Sequence, residues 1–291
     1  MKTTINFLQI LIFLLFTTQI SVAQISASYD LTPYSPLEKT DAEMRISNIN
    51  LNFGIPLPLS ETTFTSHEFS YNRFDMDYRN WNKAVDGNTI ENATAIKYNF
   101  MVMLQMSDKW SFLGFITPGL ASDFEADIST DDMTFEAVAV FIRKHSETLS
   151  MGYGLAYSRQ FGEPFPLPVI AMEWNNGANL SASIILPAFA ELWYKINNKF
   201  DVGFILGGDG NQYHGDPDIY GGSNPKLDFS VMNVGPSFKY HTNDWLTFNI
   251  DAGYTAFRLF EFTNRIDGKN IKEEIELDPN AFLRIGFTIG G

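Results

Sequence analysis

The sequence contains no cysteine. That removes disulfide staples and thiol chemistry from any account of its stability or activity. Long apolar runs are missing too: past the N-terminus no stretch approaches the ~18 uninterrupted apolar residues of a membrane-spanning helix, and the chain as a whole is slightly hydrophilic. Basic residues are scarce. Lys and Arg number 20 against 34 Asp and Glu, a net charge of −14 that argues against a nucleic-acid partner. There is no GxSxG, no HExxH and no phosphate-binding loop, and only four histidines. What the chain has in quantity is aromatic side chains, 15% of the total with 26 Phe. These suit β-strands and the interfacial girdles of membrane barrels.

The first 23 residues have the three parts of a signal peptide. Lys2 supplies the positive start, Asn6 to Phe16 (NFLQILIFLLF) a short apolar run, and Ser21-Val22-Ala23 a small-x-small cleavage site. The run is too short to span a bilayer, which takes about 20 apolar residues. No cysteine follows the cleavage site, so lipoprotein anchoring is excluded. The expected organisation is a signal peptide over 1–23 and one exported domain over 24–291.

Within that domain the dominant pattern is strict alternation. In Leu246–Thr255 every even position is apolar or aromatic and every odd position is polar or glycine. A strand places successive side chains on opposite faces, so one face is apolar and the other wet. The same pattern recurs in Ile96, Tyr98, Phe100, Val102 and Leu104, and in Leu149, Met151, Tyr153, Leu155 and Tyr157 against Gly152, Gly154 and Ala156. It recurs again in Ile49, Leu51 and Phe53 against Asn48, Asn50 and Asn52. In Phe200–Leu206 the one exception is Ile205. No helical period competes over a comparable length.

Short polar turns alternate with long polar gaps. The turns lie at Ser107-Asp108-Lys109, Ser146-Glu147-Thr148, Asn175-Asn176-Gly177, Asn197-Asn198-Lys199 and Thr242-Asn243-Asp244; Asn-Gly is itself a hairpin signal. The gaps span about 79–92, 123–131, 161–167, 208–226 and 261–279, with the glycine, proline and aspartate content of loops. This in-phase asymmetry, with short periplasmic turns and long external loops, belongs to outer-membrane barrels. Counting back from the C-terminus gives fourteen strands: 280–290, 245–260, 227–241, 199–208, 188–196, 179–186, 168–174, 148–160, 132–145, 109–122, 93–106, 64–78, 44–56 and 25–32. The count is twelve if two of these are plug or edge segments. Leu186-Pro187-Ala188 is the least regular connection, because it must form a tight external turn. The expected fold class is therefore all-β, a transmembrane antiparallel up-and-down β-barrel in the bacterial outer membrane. A soluble exported β-sandwich is the alternative.

That fold assigns faces. Trp110, Trp193, Tyr194, Phe200, Tyr240 and Trp245 flank short turns and are the candidates for an aromatic girdle at the membrane interface. Charged residues near the bilayer midplane cost a few kcal/mol on the lipid face. The lumen-lining candidates are therefore Lys97, Asn99, Gln105, Asn48, Asn50, Asn52, Asp201, Lys239, Thr247, Asn249, Asp251 and Arg284. Whether they line open water or pair in a plugged interior is left open by the pattern. The last strand, Ala281–Ile289, alternates and ends near the C-terminus, as does the terminal strand read by barrel-assembly machinery, although its aromatic, Phe287, is displaced inward.

The block PFPLPVIAMEWNNGANLSASIILPAFAELWYKINNKFDVGFILGGDG, roughly residues 163–210, resembles a family of Bacteroidetes-type outer-membrane barrels of unknown function. Its proline-rich entry, Trp-bearing strand, polar hairpin, Leu-Pro step, aromatic-Lys strand end and glycine-rich exit carry the likeness. The resemblance implies an outer-membrane barrel and supplies no catalytic residues.

Chemistry is sparse. His145 and His241 lie at tight turns, His214 in a long gap beside Asp216 and Asp218, and His67 on a strand beside Glu68. No nucleophile–base–acid spacing singles out any of them. Asp123, Glu125, Asp127, Asp131 and Asp132 form one acidic cluster and Asp209, Asp216 and Asp218 another; both read as solvated loops without calcium-loop spacing. No catalytic residue, cofactor or metal is expected. The expected partners are outer-membrane lipid, lipopolysaccharide, the barrel-assembly machinery and a small-molecule solute. The function read from this is a passive pore or a small-molecule binding and transport barrel. A structural or surface-interaction barrel acting through 208–226 and 261–279 comes next, and a membrane-embedded lipid hydrolase third.

Overall fold

The computed structural model describes residues 23–37, 41–81, 90–158, 165–220, 224–266, 269–274 and 277–290. The expected signal peptide, apart from Ala23, lies outside them. Sixteen strands form one sheet: β1 (Gln24–Leu31), β2 (Ser35–Pro36), β3 (Glu43–Pro58), β4 (Thr63–Arg79), β5 (Asn92–Gln105), β6 (Trp110–Ser122), β7 (Met133–Lys144), β8 (Leu149–Ser158), β9 (Phe165–Asn175), β10 (Leu180–Leu186), β11 (Phe189–Lys195), β12 (Phe200–His214), β13 (Lys226–Asn243), β14 (Leu246–Ile266), β15 (Lys269–Glu274) and β16 (Ala281–Ile289). A 3₁₀ turn, Thr130–Asp132, precedes β7, and a four-residue helix, α1 (Pro217–Tyr220), follows β12. β1 pairs with β3 on one side and β16 on the other, which closes the ring. Fourteen antiparallel strands make a closed up-and-down barrel; β2 and β15 are short additions beside β3 and β14.

The alternation sets which face is which. On β14, Phe248, Ile250 and Tyr254 are 43%, 46% and 62% exposed, while Asp251 and Thr255, of the opposite parity, are buried. Exposed apolar residues recur around the ring, including Ile49, Leu51 and Phe53 on β3, Phe141 on β7, Tyr153 and Leu155 on β8, and Leu283 and Ile285 on β16. A soluble domain does not carry an apolar band of this extent. On a closed barrel it is the lipid-facing surface of a transmembrane structure.

The short turns are held by their own polar side chains. Asn176 Oδ1 accepts from the backbone N–H groups of Ala178, Asn179 and Leu180 at 3.0 Å each. Gly177 beside it takes φ +72°, a left-handed conformation that favours glycine. Asn197 Oδ1 accepts from Lys199 and Phe200, and Asn243 Oδ1 from Trp245 and Leu246. These local bonds are why Asn recurs at the turns.

Wall height is very uneven. β10 and β11 have 7 residues each, whereas β12, β13 and β14 have 15, 18 and 21. This corrects two expected loops. Residues 208–214 continue β12, in unbroken register with β13 from Phe200↔Tyr240 to His214↔Lys226. Residues 261–266 continue β14, and β15 pairs back onto it. Glycine-rich composition signals a loop only where no ladder partner exists; here β13 supplies one.

β12 outgrows β11, whose first residue Phe189 sits opposite Gly207. Beyond that point the edge of β12 has no β11 neighbour, and the strand crosses the barrel interior. Gly210, Asn211, Gln212 and Tyr213 are buried, and His214 bridges in parallel to Ser122 of β6. Five strands, β7–β11, separate β6 from β12 around the ring. A bulge opposite Met232/Asn233 bends β14 and β13 together. Near that bend Gly235 and Gly253 approach so closely that a Cβ on either would lie within 2.0–2.1 Å of a facing carbonyl oxygen. The folded-over strands pack against the opposite wall. Tyr213, Leu227, Phe229, Val231 and Phe260 meet Met44, Ile46, Phe74 and Met76 in a hydrophobic core inside the loop end of the barrel.

Candidate functional site: a divided lumen

Below this core the inner face splits in two. On β5–β10 it carries a continuous apolar patch: Met101, Leu113, Phe115, Val138, Val140, Ile142, Ala156, Leu167, Val169, Ala171 and Ile185 pack side by side. On the other side of the ring it is polar. Asn52 Nδ2 donates to Ser26 Oγ at 3.1 Å and Asn50 Nδ2 to Ser28 Oγ at 3.4 Å, while Asn72 donates to Asn50 Oδ1. Opposed side chains on neighbouring strands thus form a hydrogen-bonded ladder.

The polar wall borders a cavity of about 430 Å³. Among the sequence candidates, Asn50, Asn52, Lys239, Thr247, Asn249, Asp251 and Arg284 line it. Arg284 makes a two-pronged ion pair to Asp30, at 2.7 and 2.6 Å, and lies 3.9 Å from Asp251, to which Ser237 also donates. Lys239 Nζ rests 3.7 Å from the ring centroid of Trp193. The remaining candidates lie elsewhere. Lys97 pairs with Glu136 at 2.7 Å and borders a smaller cavity of about 150 Å³. Asn99 donates to Glu68 at 2.9 Å. Asn48 is buried and donates to Asp209 at 3.3 Å. Asp201 lines a pocket of about 360 Å³ at the short-turn rim, and Gln105 is exposed at the same end.

Three expectations are corrected. Trp193 is not a girdle residue: it lines both the 430 Å³ cavity and the rim pocket and donates to Glu191 at 2.8 Å. The reason is parity, since Leu192 and Tyr194 on either side of it face outward, 45% and 46% exposed. Trp110 and Trp245 are exposed, and Tyr240 stacks on Phe200 at 5.2 Å on the outer face. Asp209 is not in a solvated loop; it lines the 430 Å³ cavity and both smaller cavities above it. Asp123 and Asp132 are buried, and together they latch the crossing strand.

That latch has four bonds. The backbone N–H of Asp123 and Ser122 Oγ both donate to the His214 carbonyl, at 3.1 and 2.9 Å. His214 Nδ1 meets Asp132 Oδ1 at 3.1 Å, and Asp123 Oδ2 accepts from the Asp216 N–H. Burial pushes the Asp132 carboxyl up, but the Ser129 N–H, Ser122 and His214 outweigh it and hold the group below its usual value.

His67 and His241 serve the wall. His67 meets the Tyr98 hydroxyl, and its ring lies 5.2 Å from Phe100. His241 links Asp201 Oδ2, at 2.9 Å, to Thr247 Oγ1, at 2.8 Å, tying β12, β13 and β14 together at the rim. Ser26, Ser28, Glu191, Ser237 and Thr288 complete the cavity and were not singled out by sequence. Their alternation with apolar neighbours was the available signal.

A family model matches residues 19–290. The chain belongs to the family described as Domain of unknown function (DUF6268). No curated protein matches it. Among solved structures, an outer membrane channel from Pseudomonas putida F1 is 7% identical, with 94% of this chain and 96% of that one covered and a TM-score of 0.45. The NanC porin is 10% identical over 92% of this chain and 100% of its own, TM-score 0.40. The translocator domain of autotransporter NalP from Neisseria meningitidis is 12% identical over 98% and 93%, TM-score 0.41. At these values the likenesses assign no solute and no partner to this DUF6268 chain.

Proposed function

We propose that this DUF6268 barrel sits in a bacterial outer membrane and binds a small solute in its lumen, passing it when the crossing strands release. One observation carries the reading: a polar cavity of about 430 Å³ lies under a loop end closed by β12 latched to β6. The size falls within the ~300–1,000 Å³ of small-molecule sites. The lipid-facing apolar band supports contacts with membrane lipid and lipopolysaccharide, and alternating β16 at the barrel seam supports recognition by barrel-assembly machinery. The Bacteroidetes-type likeness of residues 163–210 supports the same setting. Transport rather than hydrolysis is favoured because His67 and His241 tie wall strands together and His214 latches β12.

The absence of cysteine makes the test clean. Ser122 and His214 are bridge partners, so Ser122→Cys with His214→Cys creates one disulfide of suitable spacing. Reconstituted in a planar bilayer, the oxidised protein is expected to stay silent and the reduced protein to conduct. Equal conductance in both states would overturn the gate.

Acid acts on the same latch. A carboxyl whose pKa is depressed on folding stabilises above its unfolded pKa and loses that contribution as pH falls through the folded one. Asp132 is depressed, so conductance should stay flat down to about pH 4, near the ordinary aspartate pKa, and rise only below it. A rise complete by about pH 5.5 would contradict a latch held by Asp132.

A further inference from the structure

The solute class follows from which cavity groups are already satisfied. Glu191 accepts from the Trp193 indole, Asp209 from Asn48, and Asp251 from Ser237 with Arg284 nearby. A cation entering the cavity would meet carboxylates that each already accept a hydrogen bond from a described residue. An anion is disfavoured as well, because Glu191, Asp209 and Asp251 outnumber Lys239 and Arg284 along the lining, and Arg284 is engaged with Asp30. What stays open is hydrogen-bonding capacity. Asn249 and the Lys239 ammonium make no hydrogen bond or ion pair to any described residue, and both line the cavity. Around them stand the hydroxyls of Ser26, Ser28, Ser237, Thr247 and Thr288 and the amides of Asn50 and Asn52. An ammonium offers up to three donors to hydroxyl oxygens without needing a counter-charge.

Resting on the reading of this cavity as a solute site, we propose that it binds a neutral polyhydroxylated solute, a sugar of one or two rings. Its hydroxyls would take the unused donors and acceptors of Asn249 and Lys239 and bridge to the Ser–Asn ladder on β1 and β3. A site built around polar groups discriminates strongly against ligands that leave them unpaired.

The test is calorimetric titration of the full exported chain in a sugar-free detergent with four probes: maltose, sodium gluconate, putrescine and glycine. Maltose is expected to bind saturably and the anionic, cationic and zwitterionic probes at least tenfold more weakly. Asn249→Leu should cut maltose affinity at least tenfold. Ser28→Leu, which fills the cavity from β1, two strands along the wall from β14, should do the same if Asn249→Leu fails to fold. Heat-modifiable gel mobility reports folding of each variant. Preferential binding of gluconate, putrescine or glycine, lost in the same variants, would overturn the polyol assignment while leaving the cavity a solute site. No binding of any probe, or maltose binding untouched by both folded variants, would overturn the site itself.

Discussion

Arg284→Met is expected to weaken the barrel by about 3 kcal/mol, the scale of removing one partner from a buried ion pair. The position explains the size. Asp30 and Arg284 are register partners across β1 and β16, the seam where the two ends of the barrel wall meet. Both side chains are mostly buried, at 14% and 24% exposed. The substitution leaves Asp30 and Asp251 facing each other with no guanidinium between them, and desolvated like charges repel. Urea titration followed by heat-modifiable mobility should show the midpoint falling. Asp30→Asn combined with Arg284→Met should recover much of the loss, because removing both partners leaves no orphaned charge. A single variant as stable as the parent, or a double variant worse than the single, would refute the seam role.

Much of this architecture can be read from alternation, and its failures are instructive. The pattern over 246–255 places Thr247, Asn249 and Asp251 on the face that lines the cavity, because a strand's side-chain period leaves no other choice. Nearness to a turn points both Trp193 and Tyr194 to the girdle, yet adjacent residues on a strand cannot share a face. Parity overrules proximity, and Trp193 goes inward. Asp201, Gly203, Ile205, Gly207, Asp209, Asn211 and Tyr213 also keep one parity throughout, so the strand beyond Gly207 was visible in principle. Glycine and aspartate content hid it, because composition reports local preference and β13 supplies the pairing that overrides it. The crossing itself was not legible. It depends on β11 beginning only at Phe189 while β12 runs past it, and on donors at Ser122 and Asp123, nearly a hundred residues away in sequence. Single-strand patterns carry no such pairing information.

The same crossing makes Phe229→Ala the most informative change at the loop end. Phe229 is 1% exposed, with its ring centroid 4.5 Å from Phe74 on the opposite wall and 6.3 Å from Phe260 on the adjacent strand. Truncating a fully buried Phe costs about 3–5 kcal/mol, through lost transfer energy and the cavity left behind. That cost falls on contacts between the crossing strands and the wall, not on the ring of strand pairs that closes the barrel. The variant should therefore keep its heat-modifiable mobility while its conductance rises severalfold over the parent. Adding Ser122→Cys and His214→Cys to it should restore silence on oxidation, since the covalent latch replaces the packing that was lost. A folded Phe229→Ala protein that conducts no better than the parent would mean the hydrophobic core does not hold the gate. A protein that conducts equally well with the disulfide closed would mean that solute passes by a route the crossing strand does not cover, and that the cavity on the polar wall is open by another path.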